Sequence, residues 1–196
     1  MLIAFEGLDQ SGKETQAERL RDRLREAGHK VRLESFPNYG TSIGEELTRA
    51  LAGERDYGSD VMQLLFVANR HERRAAILEW LAAGKILICD RYRASSIAYG
   101  EAQGLDVRWL DEIQRYLPPA DLTIYVDIAV DTAFKRKAHN RDKYERDLAL
   151  LEGVRQSYRR QAQQPGWLLI DGERTKDEIA EQILAAVQNT LTPPGD

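Results

Sequence analysis

The sequence predicts a three-layer α/β fold, in which a five-stranded parallel sheet lies between helices on both faces. Short apolar runs alternate with segments of helical spacing, and a glycine-rich loop joins the first run to the first helix. Because each helix crosses back over the sheet before the next strand, this alternation makes the strands parallel. The 196 residues suit one ample core, so we expect a single domain over residues 1–196.

Each strand is predicted from a short apolar run. The runs lie at residues 2–5, 31–35, 85–90, 122–127 and 167–171. Apolar residues three and four apart predict the helices. The first helix begins near Gly12 and ends at Gly28. The others are expected at residues 43–51, 60–83, 95–103, 108–117, 130–138, 147–163 and 176–191, before a loose tail at 192–196.

The composition excludes several classes of protein. A hydrophobic fraction of 42% and a charged fraction of 31% are typical of a soluble globular protein. The net charge of −4 argues against a general nucleic-acid surface. Residues 1–5 are too short for a signal sequence, and no apolar run approaches the ~20 residues of a membrane span. We therefore expect a cytoplasmic protein without a membrane partner, and we expect the single cysteine, Cys89, to be buried filler.

The loop after the first strand reads G-L-D-Q-S-G-K over residues 7–13. Between a strand and a helix, its backbone N–H groups can surround a phosphate chain, and the helix N-terminus adds positive partial charge. Lys13 then reaches the transferred phosphate. We interpret the segment as a P-loop, and a plain glycine turn is the alternative. The predicted donor-nucleotide residues are Gly7, Leu8, Asp9, Gln10, Ser11, Gly12, Lys13, Glu14 and Thr15.

One position departs from the P-loop pattern. The residue after Lys13 is normally Ser or Thr, whose hydroxyl holds the magnesium of the nucleotide, and here it is Glu14. Thr15 follows, but a helix turns about 100° per residue, so we expect its hydroxyl to point away from the metal.

Ligands of parallel sheets gather at the carboxyl ends of the strands. Polar residues follow all five predicted strands, at residues 6–9, 36–39, 90–92, 127 and 172–174. Among them, Arg91 could hold a second phosphate beside the P-loop, because its planar fork matches phosphate oxygens. Asp90 could then orient Arg91 or a metal-bound water. Alternatively, Asp90 and Arg91 form an ion pair that caps a helix.

A cationic run follows the fourth strand in a chain that is acidic overall. It consists of Lys135, Arg136, Lys137, His139, Arg141 and Lys143. Such a run is often a solvated face. Here its arginines could also close over the phosphates, stabilise the charge of phosphoryl transfer and exclude water. On this second interpretation we expect a short helical lid at about residues 136–147.

Phe66 and Arg70 lie one helical turn apart on the same predicted face. Together they can present an aromatic plate and a hydrogen-bond fork to a flat base that has an exocyclic oxygen. Alternatively, Phe66 is simply part of the core, as most helical aromatic residues are.

In this order and spacing, the motifs resemble the thymidylate kinase family of P-loop nucleoside monophosphate kinases. The matching segments are residues 5–9, Phe36-Pro37 with Gly44, Leu65-Phe66 with Ala68-Asn69-Arg70, Asp90-Arg91-Tyr92 with Ser95 and Tyr99, residues 118–127, and Tyr144-Glu145. The resemblance implies a P-loop kinase fold and transfer of the ATP γ-phosphate to dTMP, giving dTDP. It also suggests a homodimer, although core packing explains the apolar stripes equally well.

The resemblance implies roles for the matching residues. Asp9 approaches the acceptor sugar and phosphate, sometimes through magnesium, and Arg91 grips the acceptor phosphate. Phe66 stacks on thymine, Arg70 bonds a base oxygen, and Tyr99 crowds the ribose 2′ position. The full acceptor set is Asp9, Phe36, Pro37, Tyr39, Phe66, Asn69, Arg70, Arg91, Ser95, Ser96, Tyr99, Tyr144 and Glu145.

Departures from the family pattern shift some of these roles. Tyr39 stands where many relatives have an arginine, and we expect it to bond the acceptor phosphate. Relatives place a catalytic arginine in the P-loop or in the lid, and the P-loop position here is Gln10. Arg141 is therefore the first candidate for the catalytic arginine, and Arg136 is the second. Arg136 also matches the family arginine that packs on adenine. The predicted catalytic residues are Lys13, Arg91, Arg141 and Asp9.

The expected cofactors are ATP and Mg²⁺, with Asp9 and Glu145 as the predicted metal contacts. Because Glu14 replaces the hydroxyl ligand, we expect the phosphates and water to hold most of the ion. Two other functions stay open from the sequence. One is a different nucleoside or nucleotide kinase, in which Phe66 and its neighbours bind another base. The other is a non-catalytic nucleotide-binding protein, which Glu14 and Gln10 favour.

Overall fold

The computed structural model describes residues 1–137 and 144–191. Its strands are β1 (Leu2–Glu6), β2 (Val31–Ser35), β3 (Ile86–Asp90), β4 (Leu122–Asp127) and β5 (Trp167–Asp171). They pair in parallel, in the spatial order β2-β3-β1-β4-β5. The predicted fold is confirmed, and the glycine-rich loop leaves the carboxyl end of the central strand.

Helices connect the strands. They are α1 (Lys13–Glu26), α2 (Ser42–Leu51), α3 (Ser59–Glu72), α4 (Arg74–Ala82), α5 (Arg93–Ala102), α6 (Val107–Glu112), α7 (Val130–Arg136), α8 (Leu148–Gln161) and α9 (Lys176–Leu191). No helix within residues 1–137 and 144–191 is long and apolar enough to cross a membrane.

Alternate residues of β1 face the two helical layers. Ile3 and Phe5 pack in the core that includes residues of α1 and α9. Leu2 and Ala4 pack on the opposite face, in a core that includes Ile77 of α4. All four β1 side chains are almost completely buried, as expected for a central strand of a parallel sheet. The sheet is therefore a rigid base for the loops at its carboxyl edge.

The register brings three of these loops together. Phe5 of β1 and Ser35 of β2 both pair with Asp90 of β3. The chain therefore leaves β1, β2 and β3 at neighbouring points of one edge. This confirms the predicted rim at which residues 6–9, 36–39 and 90–92 meet.

The predicted helix at residues 60–83 is wrong in one respect, because it is two helices that meet at Arg73. The Arg73 N–H bonds the carbonyl of Arg70, three residues back, so the turn tightens there. The Arg73 side chain pairs with Glu34 of β2 at 3.2 Å and lies 5.6 Å from the ring centre of Trp80. These tertiary contacts favour a break that apolar spacing does not reveal.

The predicted helix at residues 108–117 is too long. The structure ends α6 at Glu112, and the N–H groups of Gln114 and Arg115 then bond carbonyls three residues back. Cys89 is buried in β3, as predicted, and burial raises the pKa of its thiol. The predicted lid residues 138–143, with Arg141 among them, and the tail at 192–196 lie outside the described residues.

Candidate functional site

Two clefts open at the carboxyl ends of the strands, and Asp9 lines both. The inner cleft encloses about 540 Å³ including its mouth, and it is lined by Asp9, Phe36, Pro37, Tyr39, Leu51, Gln63, Phe66, Arg70, Arg91, Ser95, Ser96, Tyr99 and Tyr144. The loop cleft measures about 1030 Å³ including its mouth, and it is lined by Asp9, Gln10, Ser11, Gly12, Lys13, Glu14, Thr15, Gln16, Arg136, Gly172, Arg174, Lys176 and Ile179. Two ligands could therefore meet at Asp9.

The loop of residues 7–13 is shaped by backbone conformations that favour glycine. Gly7 has a φ of +146°, and a Cβ there would lie 2.6 Å from the carbonyl oxygen of Val126. Gly12, with a φ of +88°, precedes α1, and no side chain of the described residues caps the first N–H groups of this helix. These N–H groups are therefore available to an anion in the loop cleft.

Lys13 and Asp9 form a charged pair where the two clefts join. Lys13 is buried, and its Nζ lies 3.3 Å from Asp9 Oδ1 and 4.0 Å from Asp90 Oδ1. Burial by itself raises the pKa of Asp9, but the charges of Arg91 and Lys13 outweigh burial and hold that pKa well below its usual value. Asp9 is therefore a carboxylate throughout the neutral range.

Arg91 is held by four side chains. Its Nη2 donates to Asp9 Oδ1 at 2.8 Å and to the Tyr99 hydroxyl at 3.2 Å. Its Nη1 donates to Ser95 Oγ at 3.1 Å and to the Tyr158 hydroxyl at 3.3 Å. Its φ of +62° is uncommon for a residue other than glycine, and such strain often marks a functional site. The side chain is thus fixed at the junction of the clefts.

Phe66 and Arg70 line the inner cleft together, as helical spacing predicted. Arg70 is almost completely buried, and its Nη1 donates to Ser96 Oγ at 2.8 Å and to Gln114 Oε1 at 3.5 Å. Its Nε has no hydrogen-bond partner in the described part of the chain. Burial lowers the pKa of Arg70 to about 10, which leaves the guanidinium charged at neutral pH. A buried cation held by neutral groups keeps donors for an acceptor oxygen in the cleft.

Asn69 differs from its predicted role, because it lies outside the cleft lining. Its Oδ1 accepts from the Asn38 N–H at 2.7 Å, and its Nδ2 donates to the Asn38 carbonyl at 3.0 Å. It thereby holds the loop after β2, in which Phe36, Pro37 and Tyr39 line the inner cleft. Asn69 shapes the cleft through this loop.

Arg136 lies in the loop cleft, as predicted. Its Nη1 donates to the Gln10 carbonyl at 3.0 Å, and its Nη2 donates to the Gly172 carbonyl at 3.3 Å. These contacts bring the end of α7 to the P-loop.

Tyr144 and Glu145 line two different clefts that both include Asp9. Tyr144 lines the inner cleft. Glu145 lines a smaller neighbouring cleft that also includes Leu8 and Asp9. Its carboxylate is buried and pairs with Lys137 Nζ at 2.6 Å.

The oxygen ligands available for Mg²⁺ are few. Residues 1–137 and 144–191 contain no group of three or more His, Cys, Asp or Glu side chains that could hold a metal alone. Asp90 Oδ1, however, is buried without a hydrogen bond to any described residue, near the Lys13–Asp9 pair. Because Mg²⁺ commonly takes one or two carboxylates and completes its shell with phosphate and water oxygens, Asp9 and Asp90 fit such an ion.

Sequence reasoning missed several residues of the site. Leu51 and Gln63 line the inner cleft, and Gln63 could have been found, because it precedes Phe66 by three residues on the same helical face. Glu6, which was predicted at the rim but without a role, and Tyr158 contribute to the network around Arg91. Tyr158 comes from α8, far along the chain, and no local pattern marks it.

Comparisons with known proteins agree with this geometry. A profile of the thymidylate kinase family matches residues 5–183. The chain is 33% identical over 186 residues to a thymidylate kinase of Arabidopsis thaliana, covering 95% of this chain and 70% of that protein. It is 31% identical over 192 residues to a thymidylate kinase of Homo sapiens, covering 97% and 91%.

A solved structure of thymidylate kinase from Candida albicans is similar to the whole fold. The TM-score is 0.82 at 29% sequence identity, and the match covers 96% of this chain and 91% of that one. The resemblance predicted from the sequence motifs is confirmed, and this chain belongs to the thymidylate kinase family.

Proposed function

We propose that this protein phosphorylates dTMP to dTDP with ATP as the phosphoryl donor. The observation that carries the proposal is that two clefts meet at Asp9, one beside a phosphate-binding loop and one beside Phe66, Arg70 and Arg91. Two nucleotides placed head to head would bring their phosphate ends together at this junction.

The inner cleft binds dTMP in this proposal. Phe66 stacks on thymine, and Arg70 donates to a base oxygen. Arg91 binds the 5′-phosphate, and its partner Tyr99 crowds the ribose 2′ position. Cytosine would present an amino group where thymine has an oxygen, so two donors would meet at Arg70.

The loop cleft binds ATP. The backbone of residues 7–13 surrounds the phosphates, and Arg136, on the same cleft, packs against adenine. Lys13, which is buried where the two clefts join, contacts the transferred phosphate.

Transfer is a direct in-line displacement. An oxygen of the dTMP phosphate attacks the γ-phosphorus, the bond to the β–γ bridging oxygen breaks, and ADP leaves. The chain needs no protein nucleophile, because the acceptor oxygen is already anionic. The substrates are aligned, and their charge neutralised, by Lys13, Arg91 and a lid arginine. Arg141 is the first candidate for the lid arginine.

Asp9 and Asp90 are the side chains that would hold a magnesium ion with the phosphates and water. Glu145 is also a predicted contact, and its carboxylate pairs with Lys137. When bound, the ion neutralises phosphate charge.

A panel of acceptors tests the proposal. ADP formation is measured with the protein, ATP, Mg²⁺ and one acceptor at a time: dTMP, dUMP, dCMP, dGMP or thymidine. We expect dTMP to be used best, dCMP to be used poorly and thymidine to give no turnover. Preference for another nucleotide would indicate a different kinase. ADP formation that does not rise when any of the acceptors is added would indicate a non-catalytic binding protein.

We also propose a homodimer in the cytoplasm. Val61 and Leu64 of α3 and Leu78 of the adjoining α4 are exposed, and a shared interface could remove these apolar side chains from water. Light scattering at micromolar protein should give the mass of two chains. The mass of one chain would contradict the dimer.

A further inference from the structure

Glu6 lies at the carboxyl end of β1 and is completely buried. Its Oε1 accepts from the backbone N–H groups of Tyr92 at 2.9 Å and Ser95 at 3.2 Å. Its Oε2 accepts from Ser95 Oγ at 2.6 Å and from the Tyr158 hydroxyl at 2.9 Å. These two hydroxyls are the ones that contact Arg91 Nη1. A layer of two hydroxyls thus separates the Glu6 carboxylate from the Arg91 guanidinium.

The chemistry of the groups fixes the direction of these hydrogen bonds. A guanidinium only donates, and a carboxylate only accepts. When Arg91 donates to Ser95 and Tyr158, the two hydroxyls must turn their own protons away from it. Those protons can go to Glu6 or across the 2.9 Å contact between the two hydroxyls. In each arrangement, Glu6 keeps the hydroxyl lone pairs directed at Arg91.

Burial supports this arrangement at Tyr158. It raises the pKa of the Tyr158 phenol well above its ordinary value, so the hydroxyl keeps its proton at neutral pH. The ring is also fixed, because it stacks on Tyr125 with the ring centres 5.1 Å apart. The hydroxyl therefore has little freedom to move away from Glu6 and Arg91.

We propose that Glu6 and Tyr158 are positioning residues for the acceptor phosphate, which anchor Arg91 through Nη1 and thereby direct its Nε–Nη2 edge toward that phosphate. Nη2 donates to Asp9 and Tyr99, which line the inner cleft, and the phosphate would replace these partners when it binds. A guanidinium fixed at one nitrogen loses less rotamer freedom when the other two grip a phosphate. The inference rests on the proposed function, in which Arg91 binds the phosphate of dTMP.

Glu6 could instead serve stability alone, since it also accepts two N–H groups at the start of α5. The two roles differ in what they do to ligands. Positioning of Arg91 affects a ligand that has a phosphate and leaves one without a phosphate unchanged. A purely structural role affects both ligands alike, or neither.

Calorimetry without ATP separates the two roles, with dTMP and thymidine as the ligands. Tyr158→Phe keeps the stacked ring and removes only the hydroxyl. We expect it to weaken dTMP binding by about 5-fold, the effect of one lost hydrogen bond, and to leave thymidine binding unchanged. Tyr125→Phe is the matched control, because it also removes a buried hydroxyl, which donates to Asp127 at 2.8 Å outside this network. The control should leave the ratio of dTMP to thymidine affinity unchanged.

Glu6→Gln gives a second reading, because its amide donates as well as accepts. If the amide NH2 faces the two hydroxyls, it forces a hydroxyl proton toward Arg91. If the NH2 faces the N–H groups at the start of α5, two donors meet there. We expect dTMP binding to fall by roughly 10-fold or more, with thymidine binding retained. If this variant does not fold, Tyr158→Phe alone decides.

An unchanged ratio of dTMP to thymidine affinity in Tyr158→Phe would overturn the inference, as would an equal loss of both ligands. Arg91→Ala separates this failure from failure of the proposed function. If Arg91→Ala lowers the ratio and Tyr158→Phe does not, the inference alone fails. If Arg91→Ala also leaves the ratio unchanged, Arg91 does not bind the acceptor phosphate.

Discussion

The inner cleft and the loop cleft are built differently. In the inner cleft, buried side chains fix one another: Arg91 has four side-chain partners, and Arg70 is held by Ser96 and Gln114. In the loop cleft, the groups available to an anion include the uncapped backbone N–H groups at the start of α1, and the side chain of Glu14 is exposed. Arg136 there is part exposed and donates to backbone carbonyls.

This difference indicates where selectivity and rate arise. Fixed side chains reject a wrong ligand, because a buried donor is left unpaired. Backbone N–H groups donate to phosphate oxygens whatever nucleoside the phosphates carry. We therefore expect changes in the inner cleft to alter which acceptor is used, whereas changes around the loop cleft alter the rate of transfer.

The largest effect is expected at Lys13. Lys13→Met removes the ammonium at the junction, so turnover should fall by about 10³-fold, because charge on the transferred phosphate loses its compensation. Steady-state kinetics with dTMP and with dUMP should show the same loss for both acceptors. Lys30→Met, at an exposed lysine, is the control and should be neutral. Turnover near that of the wild type would exclude Lys13 from the reaction.

Arg141→Ala should lower turnover by about 10²-fold with little change in dTMP affinity, because an arginine that stabilises transferred charge acts in the transition state. Arg141 lies outside the described residues, and this prediction rests on the family resemblance and on Gln10 in the P-loop. Arg136→Ala is the companion variant. A larger loss in Arg136→Ala would move the catalytic duty to Arg136, and wild-type turnover in Arg141→Ala would remove Arg141 from catalysis.

Arg70→Ala should raise the KM for dTMP by roughly 30-fold and leave the KM for ATP unchanged, since a charged hydrogen bond to the base is lost. The variant also tests whether the inner cleft sets acceptor choice, because the preference for dTMP over dCMP should shrink. Arg74→Ala, at an arginine that bonds the Tyr116 carbonyl on the surface, is the matched control. Equal loss for dTMP and ATP would mean that Phe66 and Arg70 are structural.

The smallest effect concerns stability. Both amide atoms of Gln63 are buried without a hydrogen bond to any described residue, whereas Nε2 of the equally buried Gln114 donates to two carbonyls. Gln63→Met should therefore raise the unfolding temperature by roughly 2–4 °C, while Gln114→Met should lower it. Calorimetric scans of both variants check this. A lower unfolding temperature in Gln63→Met would show that the amide is satisfied.

Local sequence patterns were sufficient for the parts of the molecule that depend on near neighbours. Apolar runs that alternate with helical segments predicted the sheet, and the glycine-rich motif at residues 7–13 predicted the loop. Helical spacing predicted that Phe66 and Arg70 lie on the same helical face. These features depend on residues a few positions apart, so one strand or helical turn contains the signal.

The remaining features depend on contacts between distant parts of the chain. Arg73, where the helix breaks, pairs with Glu34 of a distant strand, and Arg91 donates to Tyr158 of α8. The family resemblance assigned Asn69 to the acceptor-binding set, yet its amide bonds the loop after β2. Spacing along the chain does not indicate such partners.

A single ligand can test whether two nucleotides lie end to end across Asp9. Adenosine and thymidine joined through their 5′ positions by a polyphosphate chain should occupy both clefts of one protein chain. Titration calorimetry should give one ligand per chain and binding at least ~10²-fold tighter than ATP or dTMP alone, because the second contact is intramolecular. Binding no tighter than that of ATP, or two ligands on each chain, would contradict this account.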